Sequence, residues 1–357
     1  MVTDACFVLA FGRFLVVPAG THNTKEGRAM RSAPSTAWKE VVQPGEEAQL
    51  EALAREFVAM QSRIDAKFGK GRGLHRKQVA GAAARFEVLG DLPVWAAQGL
   101  FARPGSYDAL VRLSNGGAAK ASDRKPDVRG FAVRVNGVSG VGALGGPTTA
   151  QVFSTIHLKA FGFSNGVDFS NFVLSAVKSP VAMFGWLIKR FGLLGGSRFL
   201  GVMLKGFKLP FTSYATSSYQ STVPVANGAY AVRYRFVPTS GNGSDGPAGC
   251  ADFGAEIADR LRSGPLAWDL QLQPFTSEGE TPIEDAANEW PSAFNTVARL
   301  TLPQQDLDSA DGKALQASVE RDVFDPWVAL AAHRPLGSVQ RARKVIYFAS
   351  EKHRGAV

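Results

Sequence analysis

The order of hydrophobic periodicities along the chain constrains its fold more than any other feature. An amphipathic helical segment, EEAQLEALAREFVAMQSRIDAKF, comes first. Strand-like runs follow, RFEVL, LVRLS and GFAVRV, and after a long apolar helical region come YAVRYRFVP, WDLQLQPF and FNTVARLTLP. The helical pattern SVQRARKVIYFASEKHR is last. Helices segregated from runs of strands in this way predict an α+β fold.

Length and turn residues suggest one large domain. The 357 residues exceed an average domain, but a large sheet or barrel can reach toward this size. The glycine-rich and polar residues at 240–248 are typical of an exposed loop and not of a domain boundary. We predict a variable N-terminal extension over residues 1–44 and a single domain over residues 45–357.

The N-terminal apolar run, residues 7–20, does not match a targeting segment well. Arg13 interrupts it, and Asp4 stands where a signal peptide carries positive charge. We interpret it as part of the extension, with a leader peptide as the alternative. Cys6 and Cys250 form no CxxC pair, so neither a disulfide framework nor a zinc site is indicated. A cytoplasmic location is expected, or a periplasmic one if the N-terminus is a leader.

The formal charge of +9 raises the question of an anionic partner. The basic residues are scattered and lack the interleaved aromatics of a base-stacking surface, so we expect no nucleic-acid binding. Residues 172–210 are apolar with interspersed lysines and arginines. Helices packed on the core are the simpler interpretation of that region, and peripheral contact with a membrane surface is the alternative.

His75 and Arg72 lie together in the glycine-rich passage GKGRGLHRKQVAGAAA. Glycine permits close approach of the backbone to another group, and a catalytic histidine needs a partner that fixes its tautomer. Arg343 and Tyr347 are four residues apart, so a helix would place them on one face. A guanidinium there could lower the phenol pKa from about 10. Taken singly, each pair is more typical of an ordinary surface than of a functional site.

Three separated motifs together resemble the haem catalase superfamily. RGLHRKQVAGAAARFEV is similar to its distal-histidine segment, VRLSNGGAAKASDRKPDVRGFAVRV to the stretch that follows, and RxxxY to its proximal motif. WDLQLQPF, TPIEDAANEW and FDPWVALAAHRPLGSVQRARKVIY resemble the shorter catalase-related proteins. The resemblance implies an antiparallel β-barrel with flanking helices, a C-terminal helix that carries the proximal tyrosine, and bound haem, expected to be haem b.

The resemblance also implies roles for individual residues. His75 falls on the distal catalytic histidine, Ser114 on the serine bonded to its other ring nitrogen, and Tyr347 on the iron ligand, with Arg343 as its partner. Further cofactor contacts are implied for Arg72, Arg112 and Arg354, which would bind the propionates, and for Phe131 at the pocket wall.

One position departs from the family pattern. The distal asparagine expected before the VFF-like strand has no counterpart in GGPTTAQVFST, where Thr148, Thr149 and Gln151 stand. We take Thr149 as the candidate replacement donor, with Gln151 as the alternative. Since that asparagine helps orient peroxide, its absence argues against rapid dismutation of hydrogen peroxide.

The implied activity is that of a haem peroxidase or catalase-like oxidoreductase, in which His75 moves a proton between the oxygens of a peroxide. The expected substrate is hydrogen peroxide or an organic hydroperoxide, and the apolar residues 172–210 favour the latter. The alternatives are a haem carrier or sensor without turnover, and a scaffold that has lost haem. A homo-oligomer is compatible with the sequence, which leaves the state of assembly open.

Overall fold

The computed structural model describes residues 32–206, 211–246 and 250–357. Within them, six helices and nine strands alternate with loops and short 3-10 turns. The helices are α1 (Glu46–Phe68), α2 (Gly166–Lys178), α3 (Pro180–Gly206), α4 (Phe253–Ser263), α5 (Ala310–Arg321) and α6 (Ser338–Arg354). The strands are β1 (Lys77–Val88), β2 (Gly105–Asn115), β3 (Arg129–Val141), β4 (Pro147–Ile156), β5 (Tyr219–Gln220), β6 (Val225–Asn227), β7 (Tyr230–Pro238), β8 (Leu266–Pro274) and β9 (Asn295–Leu302).

The strands form a closed antiparallel barrel. Strand β1 lies between β2 and β9, and the order continues through β3, β4 and β5 on one side and through β8 and β7 on the other. Pairing of β5 with β7 closes a ring of eight strands, and β6 lies beside β7 as a ninth. An eight-stranded barrel is just wide enough for its own side chains to fill it.

Alternation of side chains along each strand fills the barrel. On β8, every second residue from Leu266 to Leu272 is buried, as expected where one face of a strand points inward. At the centre, the ring of Phe131 lies 4.6 Å from that of Tyr219 and 5.1 Å from that of Trp268. Each fully buried apolar side chain contributes about 2 kcal/mol. Because these rings occupy the interior, a large ligand has to bind outside it.

A second hydrophobic core lies between the barrel and a layer of helices. Helix α1 packs on α6 and α2, with Phe57, Phe172 and Ile346 among the buried residues. Helix α6 begins after Gly337 and ends before Gly355, and both glycines have positive φ (84° and 75°). The layer holds the face of α6 that carries Tyr347 close to the barrel wall.

The predicted α+β class and the barrel with flanking helices are both confirmed. The long apolar region is helical, but Gly192 (φ 72°, ψ 170°) breaks α3 into two halves. Helices α4 and α5 were not predicted from the sequence. No helix in the described ranges is long and apolar enough to cross a membrane.

The apolar run at residues 7–20 lies outside the described residues, as does most of the predicted extension. Its last part contacts the domain. Trp38 donates from its indole nitrogen to the carbonyl of Ala229 (2.9 Å). Glu40 forms ion pairs with Arg334 (2.6 Å) and Arg341 (3.1 Å).

Candidate functional site

A cavity lies between the barrel wall and the helical layer. It encloses about 960 Å³ of empty space, mouth included, between the loop before β1, strands β2 to β4, and helices α1 and α6. Eight of the nine residues predicted for the site contribute to its wall: Arg72, His75, Arg112, Ser114, Phe131, Arg343, Tyr347 and Arg354. The fold therefore brings together residues that are up to 282 positions apart, from Arg72 to Arg354.

His75 is fixed in position by its backbone and its side chain. Its φ of 49° is unusual for a residue other than glycine, and its N–H donates to the carbonyl of Gly116 (3.0 Å). Imidazole Nδ1 lies 3.0 Å from Ser114 Oγ, as the sequence analysis predicted. Arg112 also donates to the carbonyl of His75 (2.9 Å). This bonding at Nδ1 leaves Nε2 as the nitrogen available to a ligand.

The pKa of His75 is lowered to about 3, first because burial penalises the imidazolium and then because Arg112, Arg343 and Arg72 repel it. Its solvent exposure is partial and arises at the cavity that it lines. The imidazole is thus neutral across the physiological pH range. It can accept a proton, which suits a general base and not a standing acid.

Tyr347 extends from α6 into the cavity. Burial raises its pKa above 10, although the positive charge of Arg343 acts in the opposite direction. The predicted lowering of this pKa was therefore wrong in direction, because desolvation outweighs the nearby charge. Arg343 donates to Gln340 Oε1 (3.4 Å), and its guanidinium lies 5.7 Å from the ring centre of Phe161. It influences Tyr347 through charge and not through the predicted hydrogen bond.

Three guanidinium groups gather at one end of the cavity. Arg112 forms a two-pronged ion pair with Glu320 (2.8 and 3.0 Å), and Arg72 lies 3.1 Å from the same carboxylate. Arg72 and Arg354 both donate to the carbonyl of Asp322 (2.6 and 3.1 Å). The end of α5 thus anchors all three. This role of α5 was missed from the sequence, because nothing local in Glu320 distinguishes it from a surface carboxylate.

Glu351 and Asp325 are further charged groups that the sequence analysis missed. Glu351 lines the cavity beside Arg354 and Arg72, and burial raises its pKa. Burial and the charge of Glu351 raise the pKa of Asp325 to about 7. The α6 spacing of Tyr347, Glu351 and Arg354 would have placed Glu351 on the cavity face once Tyr347 had been assigned.

Thr149 was wrongly predicted to reach the site. Its side chain is exposed near the start of β4, outside the cavity, because a register irregularity between β3 and β4 covers this stretch. The alternative donor Gln151 is buried, but it is bonded to the backbone of Leu330 (3.0 Å) and Val152 (3.3 Å). The β4 side chains that line the cavity are Ser154, Thr155 and Ile156.

A second space, which we call the apolar chamber, adjoins the first. It has about 850 Å³ of empty space, mouth included, and the residues that it shares with the first cavity include His75, Arg343 and Tyr347. Its remaining wall is largely apolar: Phe57, Leu74, Val128, Ile156, Phe161, Phe169, Phe172, Val173, Ala176, Val339, Ala342 and Ile346, together with Gly116 and Ser170. The site therefore runs from an arginine-rich end, past His75 and Tyr347, to an apolar end.

Among the described residues, no group of three or more His, Cys, Asp or Glu side chains could hold a metal ion. A macrocycle that brings its own iron would need one side-chain ligand from the protein, and Tyr347 is a side chain that could serve.

This chain is similar to known proteins in its three-dimensional structure. No model of a protein family and no curated protein matches the chain. Among solved structures, a fungal catalase (17% identity) and catalase A from Saccharomyces cerevisiae (15%) each match 81% of this chain with a TM-score of 0.61. A bacterial catalase (14%) matches 95% of it, also at 0.61. The chain matches only 61%, 62% and 67% of those three proteins. At these identities the similarity extends to the fold alone.

Proposed function

We propose that this chain, whose fold is catalase-like, binds haem in the cavity beneath α6 and reacts there with peroxides. One observation carries the proposal. His75 is neutral and is held in place by Ser114, and Tyr347 stands on a separate helix. Both His75 and Tyr347 line the cavity and the adjoining apolar chamber. The chain spans about three fifths of the fungal and yeast catalases it matches, so activity is inferred from the site and not from these neighbours.

The residues of the cavity fit haem in three respects. The macrocycle has apolar edges and two propionate carboxylates, and the site has an apolar end and an arginine-rich end. Arg72, Arg112 and Arg354 would hold the propionates, since a guanidinium fork matches a carboxylate. Tyr347 would ligate the iron, and ligation would require loss of its proton. Bound haem would supply the redox equivalents for cleavage of an O–O bond.

The role of His75 follows from its protonation state. With a pKa of about 3, its free Nε2 can take the proton of an incoming hydroperoxide and return it to the departing oxygen, so that water or an alcohol leaves. Ser114 keeps the ring in one orientation and one tautomer. Gly130 lies directly across from Ser114 in the β2–β3 pairing and leaves room for the imidazole.

Arg343 controls the charge of Tyr347, the side chain that would ligate the iron. The raised pKa of the free phenol means that the tyrosine is protonated until a cation replaces its proton. Arg343 then stabilises the phenolate, because its charge already favours the ionised form.

The apolar chamber favours organic hydroperoxides over hydrogen peroxide as substrates. Its wall is mainly aliphatic and aromatic, and it reaches His75 without passing Arg72, Arg112 or Arg354. An alkyl chain would gain about 25 cal/mol for each Å² of apolar surface buried in the part of the chamber that the macrocycle leaves open, whereas hydrogen peroxide would gain nothing.

A haem carrier or sensor without turnover is the second candidate. The absence of Thr149 from the cavity supports it, because a peroxide there lacks the expected donor. Gln61 lines the cavity, but its amide does not take the place of the missing donor, because it already donates to the carbonyls of Gly71 (2.7 Å) and Ser350 (3.4 Å).

Peroxide kinetics on haem-reconstituted protein separate the two candidates. Consumption of hydrogen peroxide, cumene hydroperoxide and a fatty-acid hydroperoxide would be measured for the wild type and for His75→Ala. The proposal expects turnover, fastest with the organic substrates, and a loss of about 100-fold or more in the variant. His353→Ala is the control, because that histidine pairs with Asp65 and does not line the cavity. Stoichiometric haem binding without turnover would favour the carrier.

A further inference from the structure

An exposed apolar surface lies on α3, none of whose described residues lines the candidate site. We call it the α3 surface. It consists of Val181, Phe184, Ile188, Phe191, Leu193 and Leu194. These six residues are among only fourteen large apolar residues that are exposed in the described parts of the chain. Such clustering marks an interaction site more often than chance exposure does.

Helical geometry gathers these side chains into one stripe. Val181, Phe184, Ile188 and Phe191 follow a spacing of three and four residues, so they share a face of the first half of α3. Met183 and Leu187, on a different face, are buried in the helical layer. Leu193 and Leu194 come directly after the break at Gly192, where they are 66% and 85% exposed. The stripe therefore ends in a projecting apolar tip.

Aromatic packing gives this tip a defined shape. The rings of Phe191 and Phe199, on either side of the break, are stacked at 5.4 Å. Trp186 lies 5.8 Å from Phe191 and 6.0 Å from Phe172. Phe172 also lines the apolar chamber. A partner bound at the α3 surface would thus be separated from the chamber by one aromatic layer.

The charges around the stripe are positive. Residues 169–244 contain no Asp or Glu. Arg190 is neutralised by Asp168 (2.7 and 2.8 Å), whereas Lys178, Lys189 and Arg198 are exposed and form no ion pair among the described residues. A symmetric contact between two copies would bring these cations toward their own equivalents, which is unfavourable. Anionic lipid headgroups over an apolar interior complement both features.

We propose that the α3 surface binds the face of an anionic lipid bilayer, with Leu193 and Leu194 inserted below the headgroups and Lys189 and Arg198 paired with lipid phosphates. This contact is independent of haem and of peroxide chemistry, so it can be tested apart from the proposed function.

Sedimentation with lipid vesicles tests the proposal. The full chain would be mixed with vesicles of phosphatidylcholine alone or with 30 mol% phosphatidylglycerol, a fraction set at roughly that of an anionic membrane. We expect binding to the anionic vesicles that weakens as salt rises, and little binding to the neutral ones. The double variant Leu193→Asp/Leu194→Asp should lower the partition coefficient by about tenfold or more, and Lys189→Glu/Arg198→Glu by a similar factor.

The matched control is Val141→Asp/Leu144→Asp, which changes two apolar residues that are 67% and 58% exposed at the β3–β4 turn. It should bind as the wild type does. Equal loss in both aspartate variants, or binding by Leu193→Asp/Leu194→Asp equal to that of the wild type, would overturn the proposal. Loss of binding on removal of residues 1–31, with normal binding by Leu193→Asp/Leu194→Asp, would assign the contact to that segment instead. Dimerisation abolished by the leucine variant, without vesicle binding, would identify a second copy as the partner.

Discussion

Replacement of Gly130 by alanine should separate cofactor binding from catalysis. Gly130 pairs with Ser114 across β2 and β3, directly beneath the imidazole of His75. A Cβ at this position would lie 2.6 Å from His75 Nδ1, 2.7 Å from its Cε1 and 2.7 Å from Ser114 Oγ. Real Cβ atoms essentially never approach other atoms so closely, so the histidine or its serine partner has to move.

The size of the effect follows from those distances. Ordinary contact begins at 3.4 Å, which leaves the imidazole about 0.8 Å too close. Displacement of a catalytic group by about 1 Å can cost roughly 100-fold in rate. We therefore expect kcat/KM for peroxides to fall by about 100-fold, with haem uptake preserved because the three atoms nearest to the added Cβ belong to His75 and Ser114 and not to the cavity arginines or Tyr347. Overpacking should also cost about 1–3 kcal/mol of stability.

The assay is stopped-flow reaction of the haem-reconstituted variant with cumene hydroperoxide, beside haem titration and thermal unfolding. Gly185→Ala provides the control, since a Cβ there meets nothing within 4 Å. Unchanged peroxide kinetics in Gly130→Ala, with a folded and haem-loaded protein, would refute the view that His75 is held in a tight catalytic position.

Three further predictions follow from charge and burial. Because the pKa of His75 is about 3, activity should not fall as the pH is lowered through 6.5. It should fall only below about pH 4, where the imidazole gains a proton, and a pH–rate profile checks this. Asp325→Asn should stabilise the protein by on the order of a few kcal/mol at pH 8 and by less at pH 5 in urea unfolding, since a carboxyl whose folded pKa is raised to about 7 loses stability as pH rises from its unfolded pKa of about 4 through that value. Arg341→Ala should lower the free energy of unfolding by about 2–3 kcal/mol, because Arg341 forms ion pairs with Glu40, Glu46 and Glu284. Arg262→Ala should change it little, because the ion pairs of Arg262 are exposed. Equal unfolding midpoints for the two arginine variants would contradict this.

Local signals were sufficient to predict much of the fold. The strand runs in β7, β8 and β9 alternate clearly, and α1 and α6 have strong helical spacing. Helix α5 was missed because only Gly312 and Val319 are among its buried residues, so no apolar stripe marks it. Local sequence patterns also could not predict that two residues of β5 close the barrel, since closure depends on their pairing with distant strands.

The candidate site was predictable where a residue is fixed by its own motif. His75, Ser114 and Tyr347 stand in such motifs, and they line one cavity. Thr149 could not be judged, because a β-strand irregularity decides which way a side chain points. The direction of the Tyr347 pKa also needed the structure, since the spacing to Arg343 reveals the charge but not the burial that outweighs it.

An absorption spectrum of the haem-reconstituted protein, compared with that of Tyr347→Phe, tests the central claim most directly. Tyr107→Phe serves as the control, because that ring packs against the barrel core and does not line the site. We expect stoichiometric haem uptake, a Soret band and a high-spin charge-transfer band in the wild type and in the control, with both bands altered in Tyr347→Phe. Failure of the wild type to bind haem stoichiometrically, or identical spectra in all three proteins, would contradict haem ligation by Tyr347.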